Sequence, residues 1–228
     1  MRLLFDNSVF IHDPYPIGIA KPIFDEDGYN QLVMGFPPDH LLPAFGSHQG
    51  YKKFALNERM PGFHEYLTKE PAWWAFHNSI KSQKFIQFIL ALIKDCGAEI
   101  VENPSGKWTS RFEFAAMPAD GGMIAPHTDI PSKAVTLIFS MQAPEEWDPA
   151  WGGGTDVLVP RQPLDPTITY KSYMAPLSAF EKIHTYEYTP NQCVIFVKND
   201  VSWHSVGPMI GPSGPMRRTI TLNIERPG

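Results

Sequence analysis

RFEFAAMPADGGMIAPHTD, residues 111–129, is the segment from which the architecture of this chain can be read. Its first part, up to Met117, alternates as a β-strand does, and the Pro, Asp and Gly residues that follow are typical of a turn. A short apolar run then leads into His127 and Asp129. Because residues i and i+2 of an extended segment point to the same side, this imidazole and this carboxylate can converge on one metal ion.

The chain beyond this segment continues as short apolar strands separated by Gly and Pro. We predict these strands over Ala134–Met141, Thr155–Val159, Cys193–Lys198 and Arg217–Glu225. Such a series favours a sandwich or jelly roll over a parallel α/β sheet. Between two of them, Pro160 to Asn191 is rich in Pro and Tyr and has no clear period, so we predict an inserted loop or flap there.

The first half of the chain contains a clear helical pattern. Apolar residues recur at helical spacing from Ser82 to Cys96, and Gly97 stands where a helix C-cap is expected. We therefore expect a helical and irregular N-terminal portion over residues 1–107, packed on a β core over residues 108–228, in one compact domain overall.

A third metal ligand has to come from elsewhere in the sequence. His204 is the best candidate because it follows an apolar strand, within NDVSWHSV at 199–206. Two histidines and one carboxylate leave coordination positions open, as in non-haem Fe(II) oxygenases, whereas zinc sites more often recruit further His or Cys. With eight histidines in the chain, a chance His-X-Asp is not rare, so the pair alone is a weak signal.

Composition excludes some partners. The net charge is −5 and no basic face is visible, so neither nucleic acid nor an anionic membrane is expected as a partner. Cys96 and Cys193 form no CxxC pair, which favours two buried thiols in a reducing compartment. The most apolar stretch, Phe85 to Ile93, is shorter than the ~20 residues of a membrane span. We expect a cytoplasmic protein.

The order of these motifs resembles the 2-oxoglutarate/Fe(II)-dependent dioxygenase superfamily, and within it the prolyl-4-hydroxylase-like branch. The resemblance covers roughly Arg111 to Arg226. It consists of MPADGGMIAPHTD, then WDPAWGGGTDVLV, then CVIFVKNDVSWHSV, and last RRTITLNI. It implies a double-stranded β-helix (jelly roll) wrapped by N-terminal helices, with iron held by His127, Asp129 and His204.

The resemblance also implies a site for the co-substrate. Relatives hold the distal carboxylate of 2-oxoglutarate with a basic residue on the last core strand, and Arg217 with Thr219 fits this pattern here. Strand alternation places Arg218 on the other face. The sequence departs from the family at two places near the co-substrate. Many relatives have a Tyr where this chain has Met117, and a Tyr-Leu-Asn run where it has Phe139-Ser140-Met141.

The activity that the resemblance implies is hydroxylation of a prime substrate with release of succinate and CO2. It requires Fe(II), 2-oxoglutarate and O2, and ascorbate is a candidate reductant. Asp129 favours hydroxylation, since halogenating relatives lack this carboxylate. The alternatives are a cupin-like metal enzyme that does not use 2-oxoglutarate and a jelly-roll binding module with a vestigial site. The prime substrate, a small molecule or a protein side chain, stays open; Trp151, Tyr170 and Tyr173 are candidates for its wall.

Overall fold

The computed structural model describes residues 1–45, 52–103, 105–164 and 175–226. These residues form α-helices and antiparallel β-strands, with short 3-10 turns between them. The helices are α1 (Glu26–Met34), α2 (Phe63–Lys69), α3 (Pro71–Lys81) and α4 (Gln83–Asp95). The strands are β1 (Val9–Ile11), β2 (Ile17–Ala20), β3 (Ala44–Phe45), β4 (Lys53–Asn57), β5 (Thr109–Pro118), β6 (Ile124–His127), β7 (Lys133–Ser140), β8 (Thr155–Pro160), β9 (Phe180–Tyr186), β10 (Cys193–Val197), β11 (His204–Val206) and β12 (Met216–Glu225).

The strands form two sheets. The larger has the order β1-β2-β10-β7-β12-β5-β4-β3, and the smaller has the order β6-β11-β8-β9. Strands from the first half of the chain extend the larger sheet at both of its edges. Side chains of both sheets meet in one apolar cluster that includes Val157 of the smaller sheet and Phe196 of the larger, so the two sheets face each other. This is the jelly roll that the sequence predicts.

The two faces of the larger sheet contact different parts of the molecule. On the face away from the smaller sheet, Phe112, Phe114 and Phe139 pack with α3 residues such as Trp73 and Phe76 in the main apolar core. Each of these five side chains is essentially inaccessible to solvent. The alternate residues of the same strands face the smaller sheet. The helices therefore support the larger sheet from behind and leave its inner face free for a site.

The predicted helix at Ser82 to Cys96 is confirmed as α4. Ser82 Oγ accepts a hydrogen bond from the backbone N–H of Phe85 at 3.1 Å, which caps the first turn. Gly97 has a φ of +79°, the left-handed conformation that ends many helices. None of the helices in the described ranges is long and apolar enough to cross a membrane.

The predicted loop at Pro160 to Asn191 is wrong in part, because Phe180–Tyr186 forms strand β9 on β8. β9 is an edge strand whose residues Glu181–His184 are all exposed. With no buried face over that stretch, the sequence lacks the alternation by which a strand is recognised. Residues 165–174 of the same segment lie outside the described residues.

Candidate metal centre

His127 and His204 meet because their strands pair. His127 is the last residue of β6 and His204 the first of β11, and the antiparallel register places them directly opposite each other. Their ring centroids are 4.3 Å apart. Asp129 follows two residues after His127. One ligand atom from each of the three side chains lies within 4.8 Å of the other two, so this group could hold a metal ion.

The backbone selects which nitrogen of each imidazole is free. His127 Nδ1 lies 2.9 Å from the carbonyl oxygen of Ala125, and His204 Nδ1 lies 3.0 Å from that of Ser202. A carbonyl oxygen only accepts, so Nδ1 of each ring has to carry the proton and donate. The lone pair of a neutral ring is then on Nε2. Both histidines are thereby oriented as metal ligands commonly are.

Asp129 is held by two donors. Lys133 Nζ lies 2.5 Å from Oδ1, and Thr136 Oγ1 donates to Oδ2 at 2.7 Å. Thr136 Oγ1 also lies 3.0 Å from Asn223 Oδ1, which links this carboxylate to β12. The side chain of Asp129 is 7% exposed. A buried carboxylate with two such partners has a fixed orientation.

The three candidate ligands are in the protonation states that a metal requires. Burial lowers the pKa of His127 to about 3, and it also lowers the pKa of His204. Burial alone would raise the pKa of Asp129, but the ammonium of Lys133 and the two imidazoles hold that pKa below its usual value. At neutral pH the rings are therefore neutral and the carboxylate is ionised, and no ligand has to lose a proton on metal binding.

A cavity of about 110 Å³ lies between the two sheets and contains this group. Its walls are mostly apolar or hydroxyl-bearing, and they include the predicted residues Arg217 and Thr219. The lining residues are Lys53, Ala115, Met117, Ile124, His127, Asp129, Lys133, Thr136, Ile138, Thr155, Phe196, His204, Ser205, Val206, Arg217, Thr219 and Thr221.

Arg217 is a buried cation without a carboxylate partner among the described residues. It is 4% exposed, its Nε donates to the carbonyl oxygen of Gly153 at 2.5 Å, and its guanidinium carbon lies 4.8 Å from the centre of the Tyr188 ring. Burial lowers its pKa to about 10. Among the described residues, neither terminal nitrogen has a protein acceptor within hydrogen-bond distance, and Arg217 is one of the residues that line the cavity.

Arg218 lies on the opposite face of β12, as strand alternation predicts. Its guanidinium is 3.4 Å from Asp39 and 4.0 Å from Glu146, and its side chain is 28% exposed. Thr219, two residues after Arg217, is buried on the cavity side. The structure thus brings all five predicted site residues to one cavity.

Sequence reasoning missed several residues of the cavity. Lys133 follows Asp129 across a turn, where no strand or helix period could have assigned its direction. Lys53 and Tyr188 come from distant parts of the chain, and only sheet pairing brings them near the site.

The structure does not confirm the predicted wall residues. Trp151 packs against Trp147, with ring centroids 5.3 Å apart, and is not among the lining residues. Tyr170 and Tyr173 lie outside the described residues.

Comparisons with known proteins support the fold. No family model matches the chain. No curated protein matches it significantly. Among solved structures, the non-haem α-ketoglutarate-dependent epimerase SnoN from nogalamycin biosynthesis matches with a TM-score of 0.54 at 13% identity, over 97% of this chain and 80% of that one. An oxidoreductase of the 2OG-Fe(II) oxygenase family from Burkholderia pseudomallei matches with a TM-score of 0.52 at 12% identity, over 90% and 80%.

A prolyl-4-hydroxylase from Pseudomonas putida is also found, with a TM-score of 0.49 at 14% identity over 92% of both chains. At these identities the likeness to SnoN and to the Burkholderia protein establishes a shared fold. The chain thus has the fold of 2-oxoglutarate/Fe(II) oxygenases, and the resemblance in the sequence is confirmed at that level. The same fold carries a candidate His-Asp-His metal site.

Proposed function

We propose that this protein is a non-haem, Fe(II)- and 2-oxoglutarate-dependent oxygenase, and specifically a hydroxylase. One observation carries the proposal: a single cavity contains the ligand group His127, Asp129 and His204 together with the guanidinium of Arg217. Fold alone does not assign chemistry, and many jelly rolls are not oxygenases. The chemical groups that share this cavity are what distinguish the site.

The three side chains fit an iron ion. Two neutral imidazoles with Nε2 free and one ionised carboxylate form the donor set of non-haem Fe(II) oxygenases, and they leave positions for small ligands. The described residues around the cavity add no further His or Cys that would close the site as in structural zinc centres. His127, Asp129 and His204 would therefore hold the iron.

Arg217 and Thr219 fit a dicarboxylate. A buried guanidinium is unfavourable without an anion, and its two terminal nitrogens can donate parallel hydrogen bonds to one carboxylate. Thr219 lies on the same face of β12 and offers a hydroxyl donor. These two residues would bind the distal carboxylate of 2-oxoglutarate. The protein already holds the guanidinium in place through Gly153 and Tyr188, so little ordering is left for the moment of binding.

With iron, 2-oxoglutarate and O2 bound, the site supplies oxidising chemistry that yields succinate, CO2 and a hydroxylated substrate. The protein's own residues have simpler tasks. The backbone carbonyls of Ala125 and Ser202 keep each Nε2 directed at the centre. Apolar side chains such as Ile138 and Phe196 exclude water and strengthen the charge interactions inside the cavity.

Two alternatives can be separated from this proposal. A cupin-like enzyme that does not use 2-oxoglutarate would bind the metal but not this co-substrate. A binding module with a vestigial site would need neither. The unpaired Arg217 argues against the vestigial module, because a buried cation with no ligand to bind destabilises the fold without benefit. The cupin-like enzyme is separated by whether 2-oxoglutarate binds.

The test is a pair of calorimetric titrations under nitrogen, first with Mn(II) in place of Fe(II) and then with 2-oxoglutarate. We expect the wild-type protein to bind both. His127→Ala, Asp129→Ala and His204→Ala should each lose Mn(II), whereas the exposed His40→Ala should bind like the wild type. Metal binding without 2-oxoglutarate binding would favour the cupin-like enzyme, and binding of neither would favour the vestigial module. With Fe(II), ascorbate and O2, succinate should then form.

A further inference from the structure

The cavity has an excess of positive charge that iron and 2-oxoglutarate do not remove. Among the described residues that line it, Lys53, Lys133 and Arg217 are cationic, and Asp129 is the one carboxylate. A divalent ion and the doubly charged 2-oxoglutarate cancel each other. The imbalance in the walls therefore persists in the loaded protein.

Two of the three cations have partners of their own. Lys53 Nζ forms a partly buried ion pair with Glu113 Oε1 at 2.6 Å. Arg217 is assigned to the distal carboxylate of 2-oxoglutarate. The nearby Lys198 is outside the lining; its ammonium donates to the carbonyl oxygen of Asn199 and lies 3.9 Å from Asp200.

Lys133 is different, because its partner is a candidate metal ligand. Its ammonium lies 2.5 Å from Oδ1 of Asp129, while Thr136 donates to Oδ2. A metal ion on Asp129 would draw on the same negative charge and repel the ammonium. The side chain of Lys133 is 13% exposed, so water cannot replace the lost partner in full.

The position of Lys133 also separates it from the co-substrate. Lys133 begins β7 and pairs with Glu225 at the end of β12, whereas Arg217 is near the start of β12. The two cations thus approach the cavity from opposite ends of the same strand pair, with the metal ligands lining it between the sheets. A group bound at Lys133 would lie near Asp129 and away from the carboxylate held by Arg217.

We propose that the prime substrate carries an anionic oxygen group, a carboxylate or a phosphate, that Lys133 binds once the metal has occupied Asp129. This inference rests on the proposed function and narrows its substrate class. It excludes substrates that are neutral at the reacting end. It also makes Lys133 a specificity-determining residue, whose ammonium passes from Asp129 to the substrate when the metal is loaded.

The experiment uses acetate and methyl phosphate as probes, and acetamide as the neutral match of acetate. The protein is loaded with Mn(II) and 2-oxoglutarate under nitrogen. Paramagnetic relaxation of the probes' methyl protons by Mn(II) then reports binding close to the metal. We expect saturable relaxation with acetate or methyl phosphate and none with acetamide. Whichever anion binds more tightly identifies the substrate's group as carboxylate or phosphate.

Three variants test the residue. Lys133→Met should weaken anion binding by on the order of tenfold to a hundredfold, the usual effect of losing one charge-assisted hydrogen bond. Lys133→Arg should retain most of the binding. Lys182→Met is the matched control: its side chain is 60% exposed and outside the cavity lining, so this variant should bind the anion like the wild type. In the metal-free protein, saturation-transfer NMR should show equal anion binding by the wild type and by Lys133→Met, because Asp129 then holds Lys133 and the anion can bind only Arg217.

The failures are distinguishable. If wild-type protein does not form the Mn(II) and 2-oxoglutarate complex, the proposed function fails and this inference falls with it. If that complex forms but neither anion binds more tightly than acetamide, or Lys133→Met binds anions like the wild type, the inference alone is overturned. Loss of Mn(II) affinity in Lys133→Met would also overturn it, since Lys133 would then serve to position Asp129. An equal effect of Lys133→Met on anion binding with and without metal has the same consequence.

Discussion

Replacing Arg217 with Met separates the role of this side chain in binding from its role in folding. In the loaded protein, the change would remove both hydrogen bonds that we propose for the distal carboxylate and would leave that anion in a buried, largely apolar cavity. Truncating one partner of such a pair costs about 2–5 kcal/mol. The dissociation constant of 2-oxoglutarate should therefore rise roughly thirty-fold to several-thousand-fold. The assay is calorimetric titration with 2-oxoglutarate of protein that contains Mn(II), under nitrogen.

The stability of the ligand-free protein should respond differently. Arg217 has no carboxylate partner among the described residues, and its protein contacts are one hydrogen bond to Gly153 and the face of Tyr188. Losing these contacts is offset by removing a buried charge, so the free energy of unfolding should change by no more than about 1 kcal/mol. Urea denaturation without ligand measures it. A variant that loses the co-substrate only because it is unfolded would be recognised here.

Arg218→Met is the matched control. Its ion pairs with Asp39 and Glu146 are long and partly exposed, and such pairs contribute at most about 1 kcal/mol. The affinity of the Arg218→Met variant for 2-oxoglutarate should stay close to that of the wild type. If Arg218→Met is the damaging variant and Arg217→Met is mild, the assignment of faces on β12 is wrong. If both are mild, 2-oxoglutarate is anchored elsewhere or is not the co-substrate.

Three further changes test other parts of the structure. Gly153→Ala should lower the free energy of unfolding by about 1–3 kcal/mol, since the φ of Gly153 is +89°. It should also weaken 2-oxoglutarate binding, because a Cβ there would lie 3.1 Å from Arg217 Cδ. Gly152→Ala is the control: its φ is +85° and no atom lies within 4 Å of its Cβ, so it should affect stability alone. Phe139→Ala should lower the free energy of unfolding by about 3–5 kcal/mol, as measured by urea denaturation. Phe88 is 45% exposed, so Phe88→Ala should lower it little; similar losses in the two variants would contradict the assigned core. Burial alone would raise the pKa of Glu58, but hydrogen bonds from His77 and Lys81 lower it, so Glu58 stabilises the fold above pH 4.5 and loses this effect as the pH falls through its lowered pKa. Glu58→Gln should therefore destabilise the protein by about 1–3 kcal/mol at pH 7 and by progressively less in acid; a loss that does not change with pH would show that the charge is irrelevant.

The sequence was sufficient for the elements whose burial is regular. Helix α4 has one apolar face and a Ser N-cap, and strands such as β7 and β10 are largely apolar and almost wholly buried. Their local pattern and their tertiary environment agree, so each could be predicted with little error in its bounds. β9 failed because its middle residues contact solvent on both faces, and an edge strand of this kind carries no period.

In the candidate site, too, some features could be predicted from the sequence and others could not. His127 and Asp129 could be paired from their spacing, and Arg217 and Arg218 could be assigned to opposite faces of a strand, because both inferences need only the two-residue period of a β-strand. The partners of these residues could not be predicted. Gly153 and Tyr188 reach Arg217, and Lys133 reaches Asp129, through sheet pairing and turns that bring together side chains from separate parts of the chain. A local period records which way a side chain points, whereas the charge and the neighbours that it meets depend on how the two sheets close around the cavity.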